Sequence, residues 1–143
     1  MHKNPLLNAS GCRDMTAYQA INNICREEKS SVGITPEAMK VYICSPFAGD
    51  TEANVGKALR YCRFALDRRA FPIAPHCYLP RFMDDSDPTE RELAMSFALR
   101  LLYECREIWV FGAHISEGMR REILAAKWRN IRIRRFNEKM EEV

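Results

Sequence analysis

Glu107-Ile108-Trp109-Val110-Phe111-Gly112 is the stretch on which the fold turns. An unbroken apolar run, rich in aromatic and β-branched residues, ends at a glycine. It is too short for a helix and has no polar face, so it reads as a strand buried on both sides. Such a strand needs cover above and below, and the flanking sequence supplies it. Upstream, Asp87-Pro88-Thr89-Glu90 opens a helix with an acidic N-cap, proline at the first position and glutamate at the third. That helix is expected to run to about Cys105, with Leu93, Phe97 and Leu101 on its apolar face. Downstream, Ser116 caps a helix over 117–129, and Ile131-Arg132-Ile133-Arg134 alternates apolar and basic residues as a half-exposed edge strand does.

Val41-Tyr42-Ile43-Cys44, stopped by Ser45-Pro46, reads as a second buried strand. Asp50 or Thr51 caps the next helix, with Val55, Leu59, Cys62 and Leu66 as its stripe. Phe71-Pro72-Ile73-Ala74 is a weaker strand ended by Pro75, and 75–87 reads as a loop rich in Pro, His and Asp. This alternation predicts an α/β fold: a doubly wound, flavodoxin- or Rossmann-like parallel sheet of four or five strands, ordered 2-1-3-4. Ligands of such sheets bind beyond the carboxyl ends of the strands where the order reverses, which points to the loops Ser45–Asp50 and Gly112–Ser116. The α/β domain spans 40–143. Residues 1–39, with charges that cancel, read as an appendage: a helix over 15–28 capped by Asp14, then a linker from Lys29 to Pro36.

The chain has 143 residues, 47% of them hydrophobic, which suffices for a real core and excludes disordered or collagen-like readings. Lysine plus arginine exceeds aspartate plus glutamate by only 22 − 19 = 3, so neither nucleic acid nor an anionic membrane is expected as partner. No run reaches the ~18 apolar residues of a membrane span. Ala9-Ser10-Gly11-Cys12 has the look of a lipoprotein cleavage box, but only Leu6 and Leu7 precede it, so a cytoplasmic chain is expected. The six cysteines form no Cys-x-x-Cys pair; Cys44 and Cys62 read as small buried hydrophobes in a reducing compartment. Neither a metal nor a cofactor is expected.

Several motifs fail on spacing. Six residues separate Gly49 from Gly56-Lys57 where a phosphate-binding P-loop has four, and Ala58 stands at the magnesium-binding position. Neither a Gly-x-Gly-x-x-Gly nor a Gly-x-Ser-x-Gly motif occurs. Glu117 has Arg120 and Arg121 at i+3 and i+4 and reads as a surface charge. Glu122 differs: Gly118, Met119, Ala125 and Ala126 surround it on the helix, and none is cationic. A carboxylate without a helical partner, near the top of the sheet, is a candidate nucleophile or base. His76 and His114 follow strands and are candidate binding residues; Asp84, Asp85 and Asp87 read as a solvated turn and a cap.

Val41-Tyr42-Ile43-Cys44-Ser45-Pro46-Phe47-Ala48-Gly49 and Ser116-Glu117-Gly118-Met119-Arg120-Arg121-Glu122, in this order, resemble the two site motifs of the nucleoside 2-deoxyribosyltransferase superfamily. The resemblance covers about 40–136 and extends to phage and mobile-element domains of the same superfamily. It implies that Glu122 is the nucleophile, that Tyr42 orients it, and that Gly118 leaves room for the sugar. It places Ser45, Pro46, Phe47, Gly49 and Ser116 around the substrate, and His76 and His114 join them as candidates from their loop positions alone. Ser116 stands where transferases acting on free nucleosides carry aspartate and where the branch cleaving nucleoside 5′-monophosphates carries serine. A hydroxyl at a helix N-terminus suits a phosphate. Ala48 replaces an arginine of that branch, and the family's base-contacting acid on the helix before the third strand has no evident counterpart. The expected activity is cleavage or transfer at an N-glycosidic bond, by a nucleotide N-glycosidase or a 2-deoxyribosyltransferase, through a covalent glycosyl-glutamate intermediate. The competing expectation is a nucleotide-sensing module without turnover. The partner is a nucleotide or nucleoside, and the family resemblance implies a homodimer or higher homo-oligomer.

Overall fold

The computed structural model describes residues 38–143, and over that span strands and helices alternate as β1 (Lys40–Cys44), α1 (Thr51–Asp67), β2 (Phe71–Ile73), α2 (Pro88–Tyr103), β3 (Glu107–Phe111), α3 (Glu117–Trp128) and β4 (Arg132–Phe136). The expected helix over 15–28 and its linker lie outside the described residues. All four strands are parallel, in the order β2-β1-β3-β4, as the alternation requires. The long apolar runs, β1 and β3, occupy the centre, with Tyr42 opposite Ile108 and Cys44 opposite Val110. The alternating basic strand β4 takes an edge, where Arg134 reaches Glu142 at 2.7–2.8 Å. Among the described residues, no helix is long and apolar enough to cross a membrane.

Side-chain alternation divides the core in two. Val41, Ile43, Trp109 and Phe111 point to one face and pack with Tyr61 and Ala65 of α1 and with Phe136. Tyr42, Cys44, Ile108 and Val110 point to the other, beneath Ala98 and Leu102 of α2 and Met119, Ile123 and Ala126 of α3.

The helix caps stand where the sequence puts them. Asp50 accepts from the Ala53 amide, Asp87 from the Thr89 amide and Ser116 from the Met119 amide. The helical faces do not. In α1 the buried residues are Ala58, Tyr61 and Ala65, and Leu59 of the expected stripe is 55% exposed. In α2 they are Ala98 and Leu102, while Leu93 and Phe97 are exposed. Both helices carry apolar residues around much of their circumference, so periodicity alone does not choose a face. Alanines let the helix axis come close to the sheet, and those faces pack. The loop over 75–87 also has more form than expected: Pro75–Cys77 and Leu79–Arg81 are 3-10 turns.

Candidate active site

The loops after β1 and β3 leave the sheet side by side at its switch point, and a cavity of about 390 Å³ opens there. Gly49 and Gly112 make the two departures, at φ +98° and +89°, a region where a side chain would strain the backbone. Asn54, in the first turn of α1, donates to the carbonyls of Phe47 and Ala48 and pins the first loop to the helix.

Glu122 lies on the floor of this cavity. It is one turn into α3, on the side facing β1. The Tyr42 hydroxyl donates to its Oε1 at 2.7 Å. Cys44 stands two residues along, on the same strand face, and its thiol also favours the charged carboxyl. Burial pushes the Glu122 carboxyl up to about 7, and the Tyr42 and Cys44 hydrogen bonds pull the other way. Near neutrality it is therefore shared between a proton donor and a buried carboxylate. Tyr42 and Cys44 are both held protonated, first by burial and then by the Glu122 charge, so each remains a donor to the carboxylate.

His76, in the first 3-10 turn, meets the Ser45 hydroxyl through Nε2 at 3.0 Å, and both line the cavity. Burial pulls the imidazole down to about 4, so it is neutral at physiological pH. Ser116, Gly118 and Phe47 also line the cavity. A Cβ on Gly118 would meet only the Met95 methyl, at 3.5 Å, an ordinary contact. Pro46, Gly49 and His114 lie outside the lining, and His114 is exposed on its loop.

Sequence reading missed the far wall. Asp85, Arg91, Glu92 and Met95 reach the cavity from α2 and the turn before it. Glu92 is an acid on the helix before the third strand that lines the cavity. Arg121, expected beside Glu117, turns instead to Glu92, at 2.6 and 2.9 Å. Among the described residues, Glu117 keeps only Arg120, at 4.0 Å. Nothing local marks these residues, because their meeting depends on how α2 lies against α3. Among the described residues, no group of His, Cys, Asp and Glu side chains is placed to hold a metal ion.

The arrangement suits a carboxylate nucleophile. It is desolvated, held by the Tyr42 hydroxyl, and open on one side to a cavity large enough for a small molecule.

Residues 39–136 match the family model described as a domain of unknown function, DUF7768. The chain belongs to this family. No curated protein matches its sequence. Among solved structures, a 2-deoxyribosyltransferase from the psychrotolerant bacterium Bacillus psychrosaccharolyticus, described as a biocatalyst for nucleoside synthesis, is similar. Its TM-score is 0.54 at 18% identity, over 68% of this chain and 72% of that one. The DUF7768 chain thus shares the fold of that transferase.

Proposed function

We propose that this DUF7768 protein cleaves the N-glycosidic bond of a nucleoside 5′-monophosphate by a retaining route through Glu122. The observation that carries the reading is the half-buried Glu122 carboxyl, bonded at 2.7 Å to the Tyr42 hydroxyl and facing the cavity at the switch point. Departure of the base builds positive charge at the anomeric carbon. A carboxylate beneath the sugar stabilises that charge and closes on it as a glycosyl ester. Water then releases the sugar phosphate, or a second base accepts it; the first outcome is hydrolysis and the second transfer. Tyr42 acts as a positioning residue, holding Glu122 in the reactive orientation.

The phosphate in this reading lies at the N-terminus of α3. The cavity's arginines are already engaged, Arg91 with Asp85 at 3.6 Å and Arg121 with Glu92. That leaves the Ser116 hydroxyl and the first amides of α3 as the groups free to take an anion. The test is release of free base from a panel of nucleosides and their 5′-monophosphates. The parent should release base, fastest from a monophosphate, and Glu122→Ala should lose at least about a thousandfold of the rate, ~4 kcal/mol of barrier. Equal rates for the two proteins would overturn the mechanism. Tight binding of an intact nucleotide, with no base released over hours, would favour the sensing module instead.

The proposal extends to assembly as a homodimer or higher homo-oligomer. Trp128, at the end of α3, is 86% exposed, and Leu124 one turn earlier is exposed beside it, an apolar strip of the kind that marks contact surfaces. Light scattering at micromolar concentration should show more than the 16.6 kDa single chain; a monomer alone would remove this part of the reading.

A further inference from the structure

A glycosyl ester on Glu122 has to be opened, and water attacks it well only when a base takes its proton. In a retaining route the water arrives on the face of the sugar turned away from the carboxylate. Glu122 comes from α3, after β3, and the first 3-10 turn follows β2; these two strands flank β1. The turn therefore brings His76 into the cavity from the side of β1 opposite to α3. There His76 Nε2 meets the Ser45 hydroxyl at 3.0 Å, and Ser45 is buried at the end of β1. The acids of the lining are engaged: Asp85 is paired with Arg91, Glu92 with Arg121 and Glu117 with Arg120. Among the described residues, His76 is the one base of the lining, apart from Glu122 itself, with no cation beside it. We infer that His76, through the Ser45 hydroxyl, takes the proton of the water that opens the glycosyl–Glu122 ester. This rests on the Glu122 reading and supplies its second half.

The water oxygen bonds to the anomeric carbon as the bond from that carbon to the Glu122 carboxylate oxygen breaks, and the electron pair of the broken bond returns to the carboxylate. The water proton passes to Ser45 Oγ while the hydroxyl's own proton moves to His76 Nε2. The imidazolium then gives its proton to solvent, which replaces the one that the departing base took up. The sugar phosphate leaves, and Glu122, Ser45 and His76 are as they began. In this relay Nδ1 carries the resting proton and Nε2 accepts. Burial keeps the ring unprotonated near neutrality, so the acceptor is available. Both partners are held from behind: Ser45 follows directly on the buried strand β1, and the enclosed Pro75 precedes His76.

The experiment mixes the full chain with nucleoside 5′-monophosphates, follows free base through the first and later turnovers by rapid quench, and weighs the quenched protein. In His76→Asn the first equivalent of base should leave at about the parental rate. Later turnovers should slow at least about a hundredfold, and the protein should carry one sugar phosphate on the peptide that holds Glu122. Ser45→Ala, which removes a single oxygen, should show the same split and carries the test if the histidine change unfolds the turn. Azide, which attacks the anomeric carbon without giving up a proton, should restore turnover in both variants. Later turnovers at the parental rate, or a first equivalent slowed as much as the later ones in Ser45→Ala, would overturn the relay. A parent that releases no base overturns the Glu122 reading and this one with it. A parent that releases base, beside variants that accumulate no adduct, overturns the relay alone.

Discussion

Val41 and Ile43 leave β1 on one side, and Tyr42 and Cys44 leave it on the other. The first side is mainly aromatic, with the buried Glu107 accepting from Trp109 Nε1 at 2.7 Å. Phe111 stacks on Tyr61 at 4.1 Å and on Phe136 at 5.0 Å, and Phe64 meets Trp109 and Phe136 edge-on. On the second side the same strand presents the Tyr42 hydroxyl to the half-buried Glu122 carboxyl, with Cys44 beside it. One strand thus contributes packing through its odd residues and chemistry through its even ones. The aromatic face can hold the sheet together while the other face carries a group that works against stability.

The division has consequences that mutation can break. The largest expected effect is on the aromatic face. Phe111→Ala removes a ring stacked between two others, and phenylalanine-to-alanine changes in cores cost ~3–5 kcal/mol. Urea unfolding should show a loss of that order. The effect should be nearly the same at pH 5 and pH 8, because Tyr61, the titratable group stacked on the ring, is raised above its ordinary value near 10 and stays neutral across that range. A loss below ~1 kcal/mol would mean that this face is not what holds the sheet.

The second effect belongs to the polar face and depends on pH. An ordinary glutamate titrates near 4.5, and Glu122 is raised to about 7 in the fold. Between these values a rise in pH deprotonates the unfolded chain before the folded one. The stability that Glu122 contributes is therefore present below about 4.5, is lost as pH rises through about 7, and does not return above it. Glu122→Gln keeps the shape and removes the titration. The variant should match the parent near pH 4 and exceed it at pH 8 by about 2–3 kcal/mol. Urea midpoints at the two pH values check this, and a difference independent of pH would show that the carboxyl is not the strained group.

The same division explains what could be read in advance. The central strands were legible because burial on both sides leaves an uninterrupted apolar run, and two such runs fix the switch point. Glu122 was legible from its neighbours one turn away, since a glutamate among glycine, methionine and alanines has no local reason to be there. The packed faces of α1 and α2 were not legible. Their alanines bury well only because the sheet lies close, and Leu93 and Phe97 look equally eligible in one dimension. Nor was the wall made by Asp85, Arg91 and Glu92, which face Glu122 across a space that tertiary packing creates.

The smallest expected effect sharpens the comparison within the polar face, between its carboxyl and its anion end. Ser116 caps α3 through the Met119 amide, at 3.3 Å, and lines the cavity opposite the Ser45–Gly49 loop. Aspartate caps a helix as well as serine does, so Ser116→Asp should leave stability within ~0.5 kcal/mol of the parent. It also brings a carboxylate to the place proposed for the phosphate. Two like charges at that distance repel, and the amides that would hold the phosphate become engaged by the new side chain. Affinity for the nucleoside 5′-monophosphate should fall at least tenfold, about 1.4 kcal/mol, while affinity for the matching nucleoside changes much less. Calorimetry with both ligands, on parent and variant, reads the two numbers directly. Unchanged monophosphate affinity would leave Ser116 as a helix cap alone and move the substrate class to uncharged nucleosides. That outcome fits a cavity whose arginines are already matched by acids. A fall confined to the monophosphate would instead place an anion at the start of α3, one turn before Glu122.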